Sequence, residues 1–492
     1  MAAGQPKPAF YVALAVVVLG LIGFAIYRSD VVAPQPVPPP GGPGQGPRAA
    51  PIQPKDLGLE KVAESSDTTT PTTVKEYKFK PAEKLPPVKG AADYKKLEDN
   101  NNTVEFALNV WAGWAPIVLA NDGFKAGKEW KTADGKSFKV DLVIIDDPVK
   151  MRSAYTSGKV HIGWATLDMV PLFLESFVDA QGNPTDSRIM PRVYQQVDFS
   201  NGGDGIVVRE DIKTVADLRG KKLVLAQNSP SHFFTLNMLV AGGLQPSEVQ
   251  MVFTEDAFQA AAAFNAQKDI AGCVSWAPDI YNLAKAKGNR MLVTTKEANH
   301  LIADVWFARA DFARDHAPII EAISRGIFDA MEELKQESAR QKVSGLMASG
   351  YNIPVSDALG MLGDAHSTNW AENFQFFINQ NNPTNFERTW QRSYLLYRRI
   401  GAIGHRPVPF DQVMDFTVIQ NLGKDSRYSS QKVEYGTQVA AKELQAVKAE
   451  GEEILTNTVV MHFFPNSWDP FKKVQKTIDG KAVEELYDPN VN

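Results

Sequence analysis

Residues 208–234 read VREDIKTVADLRGKKLVLAQNSPSHFF, and the fold is decided in this stretch. A short helical segment over 215–218 ends at Arg219-Gly220, and a basic pair leads into an apolar strand over 223–226. The strand breaks at Asn228-Ser229-Pro230-Ser231-His232, and an apolar helix follows over 233–240. Such a strand–turn–helix sets backbone N–H groups and small hydroxyls at a helix N-terminus, where a small anion can sit. Ser and Asn are also ordinary helix N-caps with no ligand. The surrounding chain decides between the two readings.

From residue 103 onward, apolar runs of strand length alternate with amphipathic segments. Strand 104–110 is followed by Trp111-Ala112-Gly113-Trp114 and a helix opening near Pro116, a residue suited to a first helical turn. Strand 138–145 leads through Asp146-Asp147-Pro148 into helix 149–157, and strand 160–164 leads through Ala165-Thr166 into helix 167–177. This β-α-β-α-β-α order predicts a parallel doubly wound sheet. Strand 193–199 and the break Asn201-Gly202-Gly203-Asp204-Gly205 come next. A second series then has strands near 222–227, 250–254, 270–275 and 290–294, followed by strand 303–308 and helix 317–335. Two α/β series joined by extended segments predict two lobes and a cleft. In open α/β sheets, ligands lie beyond the C-terminal strand ends. The loops there hold Trp111, Gly113, Trp114, Asp146, Asp147, Thr166, Asn228, Ser229, Ser231, His232, Trp276 and Asp279. They carry no Walker loop, no GxGxxG and no GxSxG elbow.

Residues 9–27, AFYVALAVVVLGLIGFAIY, carry no charge. As a helix they would span roughly 28 Å at ~1.5 Å per residue, close to a bilayer core. This predicts an uncleaved single-pass anchor within 1–30, with the N-terminus inside and the bulk of the chain in the periplasm or extracellular space. Residues 31–54 hold nine prolines, which predicts a stiff polyproline spacer. The polar stretch 55–102 is expected to continue that linker.

Net charge of −5 and the lack of a basic stripe with interleaved aromatics exclude a nucleic-acid binder. The single cysteine, Cys273, lies in an apolar run and cannot form an internal disulfide, so it reads as a buried hydrophobe. Seven histidines without HExxH spacing predict no metal site, and no cofactor is expected.

Several segments, in order along the chain, resemble the substrate-binding proteins of ATP-driven (ABC) importers for nitrate, sulfonates and taurine. WAGWAP follows the first strand, and SGKVHIGWAT resembles the family's third-strand signature. TVADLRGKKLVL is similar to the family's opening of the second lobe, and SPSHFF opens the next helix. VSWAPDI resembles a Trp-x-Pro strand end, and ADVWFARADF the return crossover. The resemblance implies a type II periplasmic-binding fold with two crossovers and closure around one ligand. It implies lobe 1 over 103–195 and 296–425, including a C-terminal helical tail, and lobe 2 over 196–295. It places ligand contacts on Gly113, Trp114, Thr166, Asn228, Ser229, Ser231, His232, Trp276 and Asp304. Each has a structural alternative: core packing for the tryptophans, a helix cap for Thr166, a satisfied histidine at His232, a crossover residue at Asp304. Asp146-Asp147 reads as a capping pair. No arginine is set for bidentate clamping, so a monoanion or zwitterion fits better than sulfate. Hinge motion is expected at 195–206 and 296–305.

The aromatics Trp370, Phe374 and Phe377 fall at helical spacing and read as core of the tail. In the appendage 426–492, residues 431–455 predict an amphipathic helix and 456–464 a strand. TVVMHFFPNSWD vaguely resembles the start of an outer-membrane-protein-A-like domain, without that domain's later motifs, which leaves peptidoglycan binding unsupported. The expected function is therefore an extracytoplasmic solute-binding component of an ABC importer. Its expected partners are a permease, an ATPase and the inner membrane through 9–27. The alternatives are an envelope scaffold or sensor and a pyrimidine-precursor synthase-like enzyme, for which no catalytic set is found.

Overall fold

The computed structural model describes residues 77–85, 88, 91–435, 473–478 and 481–486. The anchor expected at 9–27, the proline spacer and the strand expected at 456–464 lie outside the described residues. Among the described residues no helix is long and apolar enough to cross a membrane.

The first lobe opens with β1 (Thr103–Leu108), α1 (Ala115–Ala120), β2 (Trp130–Lys131), β3 (Ser137–Ile144), α2 (Pro148–Thr156), β4 (Ile162–Thr166), α3 (Met169–Leu174) and β5 (Pro191–Ser200). The second lobe runs β6 (Asp204–Arg209), β7 (Lys222–Ala226), α4 (Pro230–Ala241), β8 (Gln250–Thr254), α5 (Ala257–Ala266), β9 (Gly272–Trp276), α6 (Asp279–Lys285) and β10 (Asn289–Thr294). The chain then returns through β11 (Ala303–Arg309), α7 (Ala310–Asp315), α8 (Ala317–Glu333), α9 (Glu337–Tyr351), α10 (Val355–Met361) and β12 (Ala365–Ser367). The tail is α11 (Trp370–Ile378), α12 (Phe386–Arg399), α13 (Thr417–Leu422) and α14 (Ser426–Ser429), and a hairpin follows as β13 (Lys473–Ile478) and β14 (Lys481–Leu486).

Local chemistry explains these elements. Strand β4 (IGWAT) is buried at every position, as a strand covered on both faces must be. Strand β3 (SFKVDLVI) alternates buried and less buried residues, the period-two pattern of a half-covered strand. Helix α8 buries Ile319, Ile320, Ile323, Ile327 and Phe328 at helical spacing, so one stripe faces the sheet. At the head of α5, Asp256 accepts from the Gln259 N–H at 2.8 Å. The TVADL segment forms a short 3-10 turn closed by a Thr214/Asp217 capping box.

The sheets are mixed, not parallel throughout. The seven-stranded sheet has the order β12-β5-β11-β4-β1-β3-β2 and the five-stranded sheet β10-β6-β9-β7-β8. Strands β1, β3 and β4 run parallel, as do β7, β8 and β9. Strand β11 is antiparallel to β4 and β5, and β6 is antiparallel to β9 and β10. The reason is the double crossover. A strand that leaves a lobe runs toward the cleft, and a strand arriving from the other lobe, β6 or β11, must run away from it. Strand β5 continues to Ser200, so lobe 1 extends five residues beyond 195 and the crossing falls at 201–203. The return crossing lies between β10 and β11, and Thr295 ties the two together. Its Oγ1 lies 2.7 Å from Ser200 Oγ and accepts from the Gly202 N–H at 2.8 Å.

Two further expectations change. Residues 431–435 are not helical, and the remainder of the helix expected at 431–455 lies outside the described residues. The linker expected through residue 102 ends earlier. Leu85, Ala91 and Leu97 are buried, and the Val88, Ala92 and Lys95 N–H groups donate to Ser176, Thr156 and Gly158 carbonyls. Polar composition concealed this, because the segment is held mainly through its backbone, which composition does not report.

Candidate functional site

The C-terminal ends of β1, β4, β7 and β9 converge on the boundary between the lobes, and the polar residues there are buried. On the lobe 1 side, strand register sets them in a row. Thr166 pairs with Asp304 across β4 and β11, and Asp304 pairs with Asp198 across β11 and β5. Directly paired residues project from the same sheet face. All three are almost fully buried. The Trp111 indole N–H reaches Asp198 at 3.2–3.3 Å. Gly113 lies against the same carboxylate, and a Cβ there would overlap Asp198 Oδ2. Glycine is required by this close approach. Asp168 follows at the head of α3 and accepts from the Tyr397 hydroxyl at 3.0 Å. Asp204 opens β6 on the other side of the crossing.

Four carboxylates therefore sit at one junction with their charges in mutual view. Burial is the largest influence on each. It raises Asp198 to about 8, opposed by the Trp111 hydrogen bond and reinforced by Asp204. It raises Asp168 to about 7, opposed by Thr166 and Tyr397 and reinforced by Asp204. It raises Asp204 to about 7, opposed by Ser200 and reinforced by Asp364. Asp304 is driven well above the usual carboxylate range by burial and then by Asp198, Asp204 and Asp168. None of these influences comes from an arginine or lysine.

Apart from Asp204, the lobe 2 side is built from the Asn228–His232 turn, which carries no carboxylate. Asn228 takes a left-handed conformation (φ 59°), which asparagine tolerates. Its N–H meets His232 Nδ1 at 3.4 Å. Burial lowers His232 to about 4, so the ring is neutral. With Nδ1 accepting, the proton sits on Nε2. Nε2 and Ser231 Oγ are buried and have no hydrogen-bond partner among the described residues. Ser229 is the N-cap residue of α4, but its hydroxyl donates back to the Ala226 carbonyl at 2.8 Å and caps no N–H. Tyr397 joins the two sides, its ring centroid lying 5.6 Å from that of His232 and its hydroxyl on Asp168.

The remaining candidates divide. Trp276 ends β9 opposite Asp204 and crosses the boundary, donating its indole N–H to the Val110 carbonyl at 3.0 Å. Trp114 packs edge-on against Phe106 and donates to Asn109 at 2.7 Å, among the core rings of lobe 1. Asp147 caps α2, accepting from Val149 and Lys150 N–H groups, whereas Asp146 holds the Val110 N–H at 2.7 Å. The sequence reading missed Asp168, Asp198, Asp204 and Tyr397 altogether, and left Trp111 out of the ligand contacts. The signal available was an aspartate inside an apolar strand (VDFS, 197–200) and another directly after Gly202-Gly203. Among the described residues no cluster of His, Cys, Asp and Glu has metal-holding geometry.

Two α/β lobes, two crossovers and a buried polar junction define a two-lobed solute-binding-protein architecture. Comparison with known proteins agrees. The family model described as "NMT1/THI5 like" matches residues 198–338, which span both crossovers and lobe 2. A taurine-binding periplasmic protein of Escherichia coli (strain K12) is 26% identical over 270 residues, covering 53% of this chain and 76% of that protein. Among solved structures, the alkanesulfonate-binding protein from Xanthomonas axonopodis pv. citri bound to MOPS is 16% identical, with a TM-score of 0.48, covering 64% of this chain and 99% of that one. The periplasmic nitrate-binding protein from Synechocystis PCC 6803 is 14% identical, with a TM-score of 0.46, covering 66% and 88% respectively. The resemblance read from WAGWAP through ADVWFARADF is thus borne out.

Proposed function

We propose that this chain is the solute-binding component of an ATP-driven importer, acting outside the cytoplasmic membrane, and that its solute is a small zwitterion bearing an ammonium group. The observation that carries this reading is the Thr166–Asp304–Asp198 row, with Asp168 and Asp204 beside it and no cation among the influences on them. Once ionised, these buried carboxylates, with no cation among them, repel nitrate or a simple alkanesulfonate. An ammonium placed among them relieves their repulsion and gains charge-assisted hydrogen bonds. The opposite end of such a solute meets Ser231 Oγ, His232 Nε2–H and the first turn of α4, all suited to an oxyanion. Taurine, named for the E. coli relative, has both ends. The geometry asks no residue to perform covalent chemistry. Permease and ATPase subunits are the expected partners.

A thermal-shift series tests the reading. Taurine and other small amino-sulfonates or amino acids are expected to raise the melting temperature. Nitrate, simple alkanesulfonates and peptidoglycan fragments are expected to leave it unchanged. Stabilisation by nitrate but by no amine would refute the ammonium assignment, and turnover of a bound solute would refute the receptor role.

A further inference from the structure

Residues 77–83 are fastened to lobe 2, and Lys84, Val88, Ala92 and Lys95 are fastened to lobe 1. On the lobe 2 side, Lys80 forms an antiparallel bridge with Phe253 of the edge strand β8, its N–H donating at 2.8 Å. Lys78 N–H donates to Gln259 Oε1 at 3.1 Å, and Gln267 donates to the Tyr77 hydroxyl at 2.9 Å. Glu83 and Gln227 exchange two hydrogen bonds, at 3.3 and 3.0 Å, between the Glu83 backbone and the Gln227 amide. Gln227 immediately precedes the Asn228–His232 turn. On the lobe 1 side, Lys84 pairs with Glu175 at 3.5 Å, and the Val88 N–H donates to the Ser176 carbonyl at 3.0 Å. Leu85, 5% exposed, is buried where the chain passes from one lobe to the other. Lys80 also completes a ladder of charge across the boundary: Lys80–Glu255 at 3.0 Å, Glu255–Lys150 at 3.5 Å and Lys150–Asp147 at 3.6 Å. Glu255 belongs to lobe 2, and Lys150 and Asp147 belong to lobe 1.

We propose that residues 77–85 and Val88 form a clasp that holds the two lobes shut, with Lys80 and the Glu83–Gln227 pair as positioning residues for the solute-binding turn. Covering the β8 edge would be a simpler role. The backbone contact with β8 is a single bridge, however, and the chain then leaves for lobe 1, which edge protection does not require. A two-lobed receptor must part its lobes to exchange solute. The clasp adds a third chain segment to the two crossovers and raises the cost of parting.

The test uses the full chain carrying spin labels at Ala216→Cys in lobe 2 and Ser338→Cys in lobe 1, both exposed. A six-residue Gly/Ser insertion after Leu85 keeps every clasp contact available and adds slack. It is expected to shift the unliganded inter-lobe distance distribution toward longer distances. The Lys80→Ala/Gln227→Ala pair removes contacts instead. It is expected to widen the distribution further and speed solute dissociation ~10-fold, as for loss of two or three polar contacts. Tryptic cleavage at Lys78 and Lys84 reports release of the segment. A distribution unchanged by the insertion, or unchanged in the double variant despite demonstrated release, would overturn the proposal. The distance readout needs no solute and so fails or succeeds independently of the ammonium assignment.

Discussion

The two sides of the inter-lobe junction are built in opposite ways. Apart from Asp204 at the start of β6, the lobe 2 side comes from one contiguous turn, Asn228 to His232, and offers a hydroxyl, a neutral imidazole and a helix start. The lobe 1 side is assembled from β4, β5, β11 and the head of α3, and it is acidic. One side suits an oxyanion and the other an ammonium. On the proposed reading, a solute spanning the junction would draw the lobes together, each end satisfied by a different lobe. The acidic side is also the costly one, since ionising its buried carboxyls without a cation meets desolvation and mutual repulsion.

Breaking the acidic side should have the largest effect. The Asp198→Asn/Asp304→Asn variant is expected to lose ~100- to 10,000-fold in affinity for an amine-bearing solute, at ~1.5–3 kcal/mol for each of two charged contacts. The same variant should melt at a higher temperature without solute at about pH 9, where Asp198 is ionised and its replacement removes repulsion. Calorimetric titration and a thermal melt together check both signs; a loss of stability without solute would contradict the repulsion argument.

Gly113→Ala comes next. Its methyl group collides with the Asp198 carboxylate, so a destabilisation of about 1–3 kcal/mol is expected, measured by urea unfolding. Affinity should fall with it, because Asp198 is displaced.

pH sharpens the contrast at a smaller scale. Carboxylates whose folded values are raised to about 7 and about 8 hold protons that the unfolded chain releases near pH 4. Their stabilising contribution is complete below the unfolded value and is lost as pH rises through the folded values. The unliganded protein should therefore lose stability between about pH 4 and pH 8, at up to ~1.4 kcal/mol per pH unit for each proton. The Asp198→Asn/Asp304→Asn variant should show a shallower slope. Affinity for an ammonium should move the other way and rise ~10-fold over the same interval, as the carboxylates ionise. His232, lowered to about 4 by burial, opposes the loss of stability below about pH 6.5, where the unfolded imidazole holds a proton that the folded ring has given up.

The smallest expected effect belongs to the lobe 2 side. Ser231→Ala removes one hydroxyl contact, worth ~0.5–1.5 kcal/mol, so affinity should fall about 2- to 10-fold while preference for amines is retained. Loss of that preference would reverse the assignment of the two ends.

The same difference between the sides explains what could be read from the chain. The Asn228–His232 turn is five adjacent residues in a strand–turn–helix context, and its placement is visible in the order of residues. Asp198 and Asp304 are more than a hundred positions apart, and only the β5–β11 register brings them together. Thr166 and Asp304 were both candidates, but nothing in the sequence shows that they are cross-strand neighbours. Trp111 and Trp114 stand in the same short loop, and the sequence reading placed a ligand contact on Trp114 alone. The short turn at 112–114 sends one indole to Asp198 and the other to Asn109. Strand positions followed directly from apolar runs, as at β8, whereas strand direction depended on the crossovers. The segment from 77 to 102 was misread as linker because its attachments are backbone bonds and a few ion pairs, which leave no hydrophobic periodicity.

The most direct measurement is a calorimetric comparison at pH 8 of taurine with 2-hydroxyethanesulfonate, which replaces the ammonium by a hydroxyl and keeps the sulfonate. The acidic junction predicts that taurine binds at least ~100-fold more tightly, a difference of about 3 kcal/mol. Equal affinity for the two, or tighter binding of the hydroxyl compound, would contradict it.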